Sequence, residues 1–162
     1  MSFDTRTFRN ALGCFPTGVT IVTTLGNDSL RVGVTVSSFT SVSLTPPLIL
    51  FCLDDRHSGL EAYRQCGHFA INVLSEDQRA LSVQFSSRKH DKWKGVAFEN
   101  WSSGVPILDD CVANFECALV DVRDGGDHRI FIGRVERMRY SETAKPLVYC
   151  RGGYAELAGM TP

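Results

Sequence analysis

The runs Ala113-Asn114-Phe115-Glu116-Cys117-Ala118-Leu119-Val120-Asp121-Val122-Arg123 and His128-Arg129-Ile130-Phe131-Ile132-Gly133-Arg134-Val135-Glu136-Arg137-Met138-Arg139 flank Asp124-Gly125-Gly126-Asp127. Two runs rich in β-branched and aromatic residues, separated by a Gly-Gly turn signal, read as a long β-hairpin. Working outward, the same signal returns at Val19 to Thr24, Arg31 to Ser37, Leu48 to Leu53, His68 to Leu74 and Leu147 to Cys150. The helices between them are few and short. Asp4 can cap one that carries Phe8, Ala11, Leu12 and Phe15 on a stripe and weakens at Gly13. Ser58 is read as the cap of a second, ended by Gly67. Ser75 and Gln78 have capping-box spacing before a third with Leu81 and Phe85 on one face. Six or more strands without βαβ alternation argue against a parallel α/β sheet. They predict a mainly β, closed or nearly closed antiparallel barrel, which hides its strand edges.

The 162 residues fit one domain, residues 1–162 with a core of about 8–154, and can bury a substantial interior. Hydrophobic residues are 43% and charged residues 22%, a globular composition, and the net charge of −1 gives no footprint for nucleic acid or an anionic membrane. The start lacks the apolar run of a signal peptide, and the longest apolar run, Leu48 to Leu53, is too short to span a bilayer. A cytoplasmic protein is expected. Six cysteines, none in Cys-x-x-Cys spacing and none near a histidine cluster, are expected as thiols, with Cys52 and Cys117 as small buried hydrophobes.

Dinucleotide and phosphate-loop motifs, the Gly-x-Ser-x-Gly elbow and His-Glu-x-x-His are absent from the sequence. The unusual stretch is Thr35-Val36-Ser37-Ser38-Phe39-Thr40-Ser41-Val42-Ser43-Leu44-Thr45-Pro46-Pro47, in which seven of thirteen residues carry hydroxyls. It begins as a strand, with Thr35 and Ser37 on one face. Such a stretch can wrap a phosphate or a polyol chain, or it can be a loop that satisfies its own backbone. Gly126-Asp127-His128-Arg129-Ile130 starts a strand with a histidine that either faces a pocket mouth or turns to solvent. Arg88, Lys89, Lys92 and Lys94 form a basic run, read as a phosphate contact or as a solvated loop.

Several pieces, in order and spacing, resemble the short flavin reductases of the FMN-binding split-barrel fold, the reductase components of two-component flavin monooxygenases. They are Phe15-Pro16-Thr17-Gly18-Val19, Thr35 to Leu44 with Pro46-Pro47, Phe69 to Leu74 with Asp77-Gln78, Gly95-Val96, Gly126-Asp127-His128 with Ile132 to Val135, and Pro146 to Tyr149 with Arg151-Gly152 and Tyr154. The resemblance covers about residues 8 to 154. It implies an antiparallel, Greek-key-like split β-barrel and an NAD(P)H:flavin oxidoreductase that supplies reduced flavin to a partner monooxygenase. FMN or FAD would be the flavin, NADH or NADPH the hydride donor, and the assembly a homodimer with the flavin near the subunit interface. By the same resemblance Thr35, Val36, Ser37, Ser38 and Ser41 would lie along the ribityl chain and phosphate. Leu53, Asp54 and Ser58 would offer backbone and hydroxyl contacts, Phe85, Ser86 and Lys92 would complete the phosphate side, and His128 and Tyr154 would face the nicotinamide. No residue is assigned an essential catalytic role and no metal is implied.

The chain departs from the family pattern at Val34, where many relatives have Met or Ala, at Cys150, where many have His, and at Trp93, which keeps an aromatic. Pyridoxamine-phosphate oxidase chemistry on the same fold wants an arginine and lysine cluster with no match here. A non-catalytic flavin- or haem-binding split barrel would share the Thr35 segment without using His128. Nothing in these residues separates FMN from FAD or NADH from NADPH.

Overall fold

The computed structural model describes residues 3–87 and 91–159. The chain runs through α1 (Thr5–Leu12), β1 (Thr17–Gly18), β2 (Thr20–Leu25), β3 (Arg31–Val36), β4 (Thr40–Leu44), β5 (Pro47–Asp54), α2 (Leu60–Gln65), β6 (His68–Val73), α3 (Arg79–Ser86), β7 (Phe98–Asn100), β8 (Pro106–Leu108), β9 (Ala113–Asp124), β10 (His128–Tyr140), β11 (Val148–Cys150) and β12 (Gly153–Ala155). The hairpin expected at 113–139 is β9 and β10, and β10 also pairs with β5 from His128↔Asp54 to Arg134↔Leu48.

Seven strands form one antiparallel sheet in the order β3-β2-β6-β9-β10-β5-β4. Its two outermost strands, β3 and β4, are consecutive in the chain and joined by residues 37–39 alone. Three residues span at most about 11 Å, so the sheet must curl until its edges approach. No ladder joins those edges among the described residues, so the barrel stays split. The stretch 40–47 holds a strand where the sequence suggested a loop. β4 alternates Thr40, Val42 and Leu44 with serines and covers one edge of β5.

The curl encloses one core, to which β2, β3, β5, β6, β9 and β10 contribute Val22, Val34, Phe51, Phe69, Cys117 and Phe131. Phe51 and Phe131 stack with ring centroids 4.8 Å apart. Cys117 is fully buried here as expected, while Cys52 is only half-buried. β2 is covered on both faces, since its outer side chain Ile21 joins Leu74, Phe85, Leu108 and Leu147 in a second core under α3. Buried Asn72 links four segments. Its amide donates to Ile21 C=O at 2.9 Å, and its side-chain oxygen accepts from Leu108 N–H at 2.9 Å and Asn114 at 2.8 Å. Both polar atoms of the buried Asn72 side chain are thereby paired.

Asp4 caps α1 as read, accepting from Arg6 and Thr7 N–H. The α1 stripe, however, joins none of the core clusters: Phe8, Leu12 and Phe15 are exposed, and Phe8 meets the Phe3 ring with centroids 5.0 Å apart. Ser58 is not the cap of α2, which starts after Gly59 with no side-chain cap. The Ser75–Gln78 box forms and opens a short 3-10 turn that leads into α3.

α3 can lie on β3 because residue 33 is glycine. A Cβ there would stand 2.3 Å from the Phe85 ring and 3.4 Å from Trp93. Phe85 is fully buried, so its ring has nowhere to go. Overpacking of this kind costs about 1–3 kcal/mol. Gly33→Ala should lose that much stability in urea denaturation with an unchanged m-value. Wild-type stability would show that the α3–β3 packing is loose.

Candidate functional site

Three walls meet where the barrel is split. The first is the end of β3. Its ladder with β2 stops at Thr20↔Val36, and the chain then crosses to β4 through Ser37, Ser38 and Phe39. The Ser38 hydroxyl accepts from Cys52 N–H and donates to Cys52 C=O, each at 2.9 Å. One side chain thus takes up the backbone of β5 just beyond the last β4 pair, Thr40↔Leu50. The second wall is α3, held over β3 by Phe85. The third is the ribbon β11–β12, whose turn places Arg151 at φ 50 and Gly152 at φ 80, the two left-handed centres of a tight hairpin. The ribbon is fastened to the body through β1, through Val19 N–H to Leu147 C=O at 3.1 Å, and through Arg151 N–H to Gly13 C=O at 2.6 Å.

Between these walls lies a cleft of about 190 Å³ lined by Val19, Thr35, Val36, Ser37, Ser82, Ser86, Tyr149 and Tyr154. Six of the eight carry hydroxyls and none carries a charge. The Thr35 hydroxyl donates to Ser82 C=O at 2.8 Å, and Ser82 Oγ stands 2.8 Å from Tyr154 Oη. Ser37 and Ser86 are exposed, and the Ser86 hydroxyl donates to Val83 C=O at 2.9 Å. Tyr149 packs edge-on against Tyr154, with ring centroids 5.3 Å apart.

Beside the cleft is a charged rim. Lys92 Nζ donates to Phe85 C=O at 2.9 Å and to Gly33 C=O at 3.5 Å, which caps the end of α3 with a cation. Burial lowers the Lys92 pKa. Arg56 forks onto Asp54 through two hydrogen bonds of 3.0 and 2.7 Å and holds its carboxyl well below the usual range. His57 Nδ1 accepts Gly59 N–H at 3.1 Å.

Of the residues singled out from sequence, the cleft gathers Thr35, Val36, Ser37, Ser86 and Tyr154. Lys92 lies next to Ser86 through the Phe85 carbonyl. Ser58 is exposed on the rim loop, and Ser41 is exposed on β4. The Phe85 and Leu53 side chains are buried in the two cores, so the contact open to each is through its backbone, the kind of contact the resemblance implies for the end of β5. His128 is not among the residues that line the cleft with Tyr154. It stands at the start of β10 opposite Asp54, half-exposed, with Nδ1 2.7 Å from the Asp127 carboxylate. Arg88 and Lys89 lie outside the described residues. Sequence reasoning missed Val19, Ser82 and Tyr149. Ser82 had a signal, since it sits three residues after Arg79 and four before Ser86 on one face of a capped helix.

Burial first, and then the Lys92 ammonium, hold the His57 pKa below its usual value, while Asp54 pulls it upward. The unfolded chain therefore takes up this proton before the folded one does. The stability that His57 contributes is whole above its unfolded pKa of about 6.5 and is lost as the pH falls through its lowered folded value. Stability should fall as the pH is lowered from about 7 through the acid side of 6.5, and part of the fall should vanish in His57→Gln. Urea midpoints across that range check this, and an identical pH slope in the variant would contradict it.

Comparison with known proteins agrees with this geometry. Residues 12–158 match the flavin reductase like domain family. A flavin reductase from Pseudomonas putida is 37% identical over 159 residues, covering 98% of this chain and 94% of its own. The reductase subunit HsaB of a flavin-dependent monooxygenase from Rhodococcus jostii is 40% identical over 153 residues, 94% of this chain and 78% of its own. The chain spans about half of a probable flavin reductase from Rhizobium meliloti, 49% of that protein's length at 44% identity. Among solved structures, the Streptomyces globisporus NADH:FAD oxidoreductase SgcE6 in complex with NAD and FAD fragments superposes with a TM-score of 0.92 at 32% identity. That match covers 98% of this chain and 96% of the other. A domain match over nearly the whole chain, and a flavin reductase matched over nearly the whole of both chains, place this chain in the flavin reductase like domain family.

Proposed function

We propose that this chain is an NAD(P)H:flavin oxidoreductase. It would reduce FMN or FAD and hand the reduced flavin to a partner monooxygenase, and would work as a cytoplasmic homodimer. The observation that carries the reading is the cleft itself. An uncharged trough lined by hydroxyls suits the polyol tail of a flavin, and its aromatic wall suits a flat nicotinamide ring laid beside it. Ser37 and Ser86 would meet the polyol, and Lys92 would offer its remaining ammonium hydrogen to a phosphate at the α3 end. Ser38 would contribute backbone only, since its hydroxyl is committed to Cys52.

The flavin, when bound, supplies the redox chemistry by taking a hydride from the reduced nicotinamide. The residues of the chain align and shield. The cleft lining holds no cysteine, histidine, lysine or carboxylate to act as nucleophile or acid. This suits a reaction in which proximity and ring alignment are the protein's contribution. About 190 Å³ is below the roughly 300 Å³ at which small-molecule sites begin, which supports a second subunit completing the site. The relatives named above are described as reductases of flavins and as reductase subunits of monooxygenases, which supports both the donor–flavin pairing and the partner.

The test is to mix the purified chain with NADH or NADPH and free FMN or FAD and follow the nicotinamide absorbance band. At least one pairing should turn over, and none doing so would reject the enzyme reading. His128, on the outer face of the barrel beyond the cleft, is assigned to positioning the hydride donor. Loss of one such contact is worth about 1.4 kcal/mol, or tenfold. His128→Ala should raise the nicotinamide KM about tenfold and leave the flavin Kd within about twofold. Steady-state kinetics and a flavin fluorescence titration check the two halves, and an unchanged KM would sink the assignment.

A further inference from the structure

α3 presents Arg79, Ser82 and Ser86 on one stripe toward the cleft, and two of these grip Tyr154. The Arg79 guanidinium lies 4.9 Å from the centre of the Tyr154 ring, and Ser82 Oγ is 2.8 Å from its hydroxyl. Tyr149, its direct cross-strand partner, closes the third side. Ser82 is only 1% exposed. A serine inside a helix commonly bonds back to the preceding turn. Here the hydroxyl reaches out of the helix to a residue 72 positions away. Its carbonyl accepts the Thr35 hydroxyl, so β3, α3 and β12 are joined by one hydrogen-bonded chain, Thr35–Ser82–Tyr154.

This chain of bonds matters because β12 is three residues long and its only ladder among the described residues is with β11. The fastenings of the ribbon to the body, β1 and the Val19–Leu147 and Arg151–Gly13 hydrogen bonds, lie on or beside β11 and the turn and not on β12. An unheld Tyr154 could swing about its side-chain torsions, and ordering it on ligand binding would cost affinity.

We infer that Ser82 is a positioning residue for the hydride donor. By fixing the Tyr154 hydroxyl it sets the aromatic wall of the cleft, and the nicotinamide ring docks against a surface already in place. This assignment rests on the reductase reading of the cleft and names the part of it that meets the donor. Ser82 touches no reacting atom. It acts through Tyr154, and Arg79 braces the ring from its face.

The test is a double-mutant cycle on the full chain with Ser82→Ala, Tyr154→Phe and the double variant, measuring the nicotinamide KM, kcat, the flavin Kd and the melting temperature. Each single variant should raise the donor KM about five- to tenfold, with kcat and flavin Kd within about twofold. The double variant should be no worse than either single, because both remove the same bond. Tyr154→Phe keeps the ring and its packing, so it reads the bond even if Ser82→Ala folds poorly. A wild-type protein that oxidises no NAD(P)H with any flavin would bring down the reading of the site. A wild-type protein that turns over, with Tyr154→Phe matching its donor KM, would overturn the positioning role alone. So would additive effects, or losses confined to flavin Kd.

Discussion

The fit of the Phe85 ring into the space that a side chain at residue 33 would occupy is the constraint on which the site depends. It lets α3 lie directly on β3 and so brings Ser82 and Ser86 within reach of Thr35 and Ser37. The same contact orders the layers beyond it. Phe85 packs edge-on against Trp93 at 5.1 Å, and Trp93 donates its indole N–H to Arg31 C=O at 2.9 Å. Lys92, one residue before Trp93, is thereby held with its ammonium on the end of α3. A packing decision in the second core therefore places both a hydroxyl wall and a cation at the cleft, although neither Gly33 nor the Phe85 ring is part of its lining.

The split in the barrel is the other half of the design. A curled sheet with unpaired edges leaves backbone groups exposed, and the fold meets this cost with side chains rather than a ladder. Ser38 takes up both backbone groups of Cys52, and β4 covers the rest of that edge of β5. The opening left between β3, α3 and the C-terminal ribbon is where the cleft lies. Because β2, β6, β9 and β10 are joined edge to edge in one ladder and each puts side chains into the barrel core, this opening sits on a continuous frame, as a site that works by alignment needs. Hydride transfer between two ring systems asks for a fixed stacking distance and dry walls and needs no strong acid or base, and the uncharged lining agrees with that demand.

Much of this was legible in the sequence where the signal is local. The Gly125-Gly126 turn and its flanking β-branched runs gave the β9–β10 hairpin, and the Ser75–Gln78 pair gave the start of α3. The hydroxyl-rich stretch was located, but its second half was read as a loop. Thr40 to Leu44 alternates small hydroxyl residues with apolar ones on an exposed edge, which weakens the apolar contrast that a strand normally shows. Phe85 and Ser86 looked equivalent as phosphate neighbours, yet the roughly 100° between adjacent helix positions sends one into the core and the other into the cleft. Ser82 and Tyr149 escaped notice because their meaning comes from a partner brought in by tertiary folding. For Ser82 that partner is 72 residues away. The exposed Phe8, Leu12 and Phe15 were expected to pack, and among the described residues they join no core cluster, Phe8 meeting the exposed Phe3 ring instead.

The central claim is that flavin occupies the cleft between β3, α3 and β12. The most direct measurement is a titration of isotopically labelled protein with FMN, followed through backbone amide resonances. The account predicts that the largest shifts fall at residues 35–38, 82–86 and 153–155, with a smaller set near Lys92. Shifts concentrated instead around 75–78 and 141–145, where a second and larger surface hollow lies, with residues 35–38 unmoved, would contradict it.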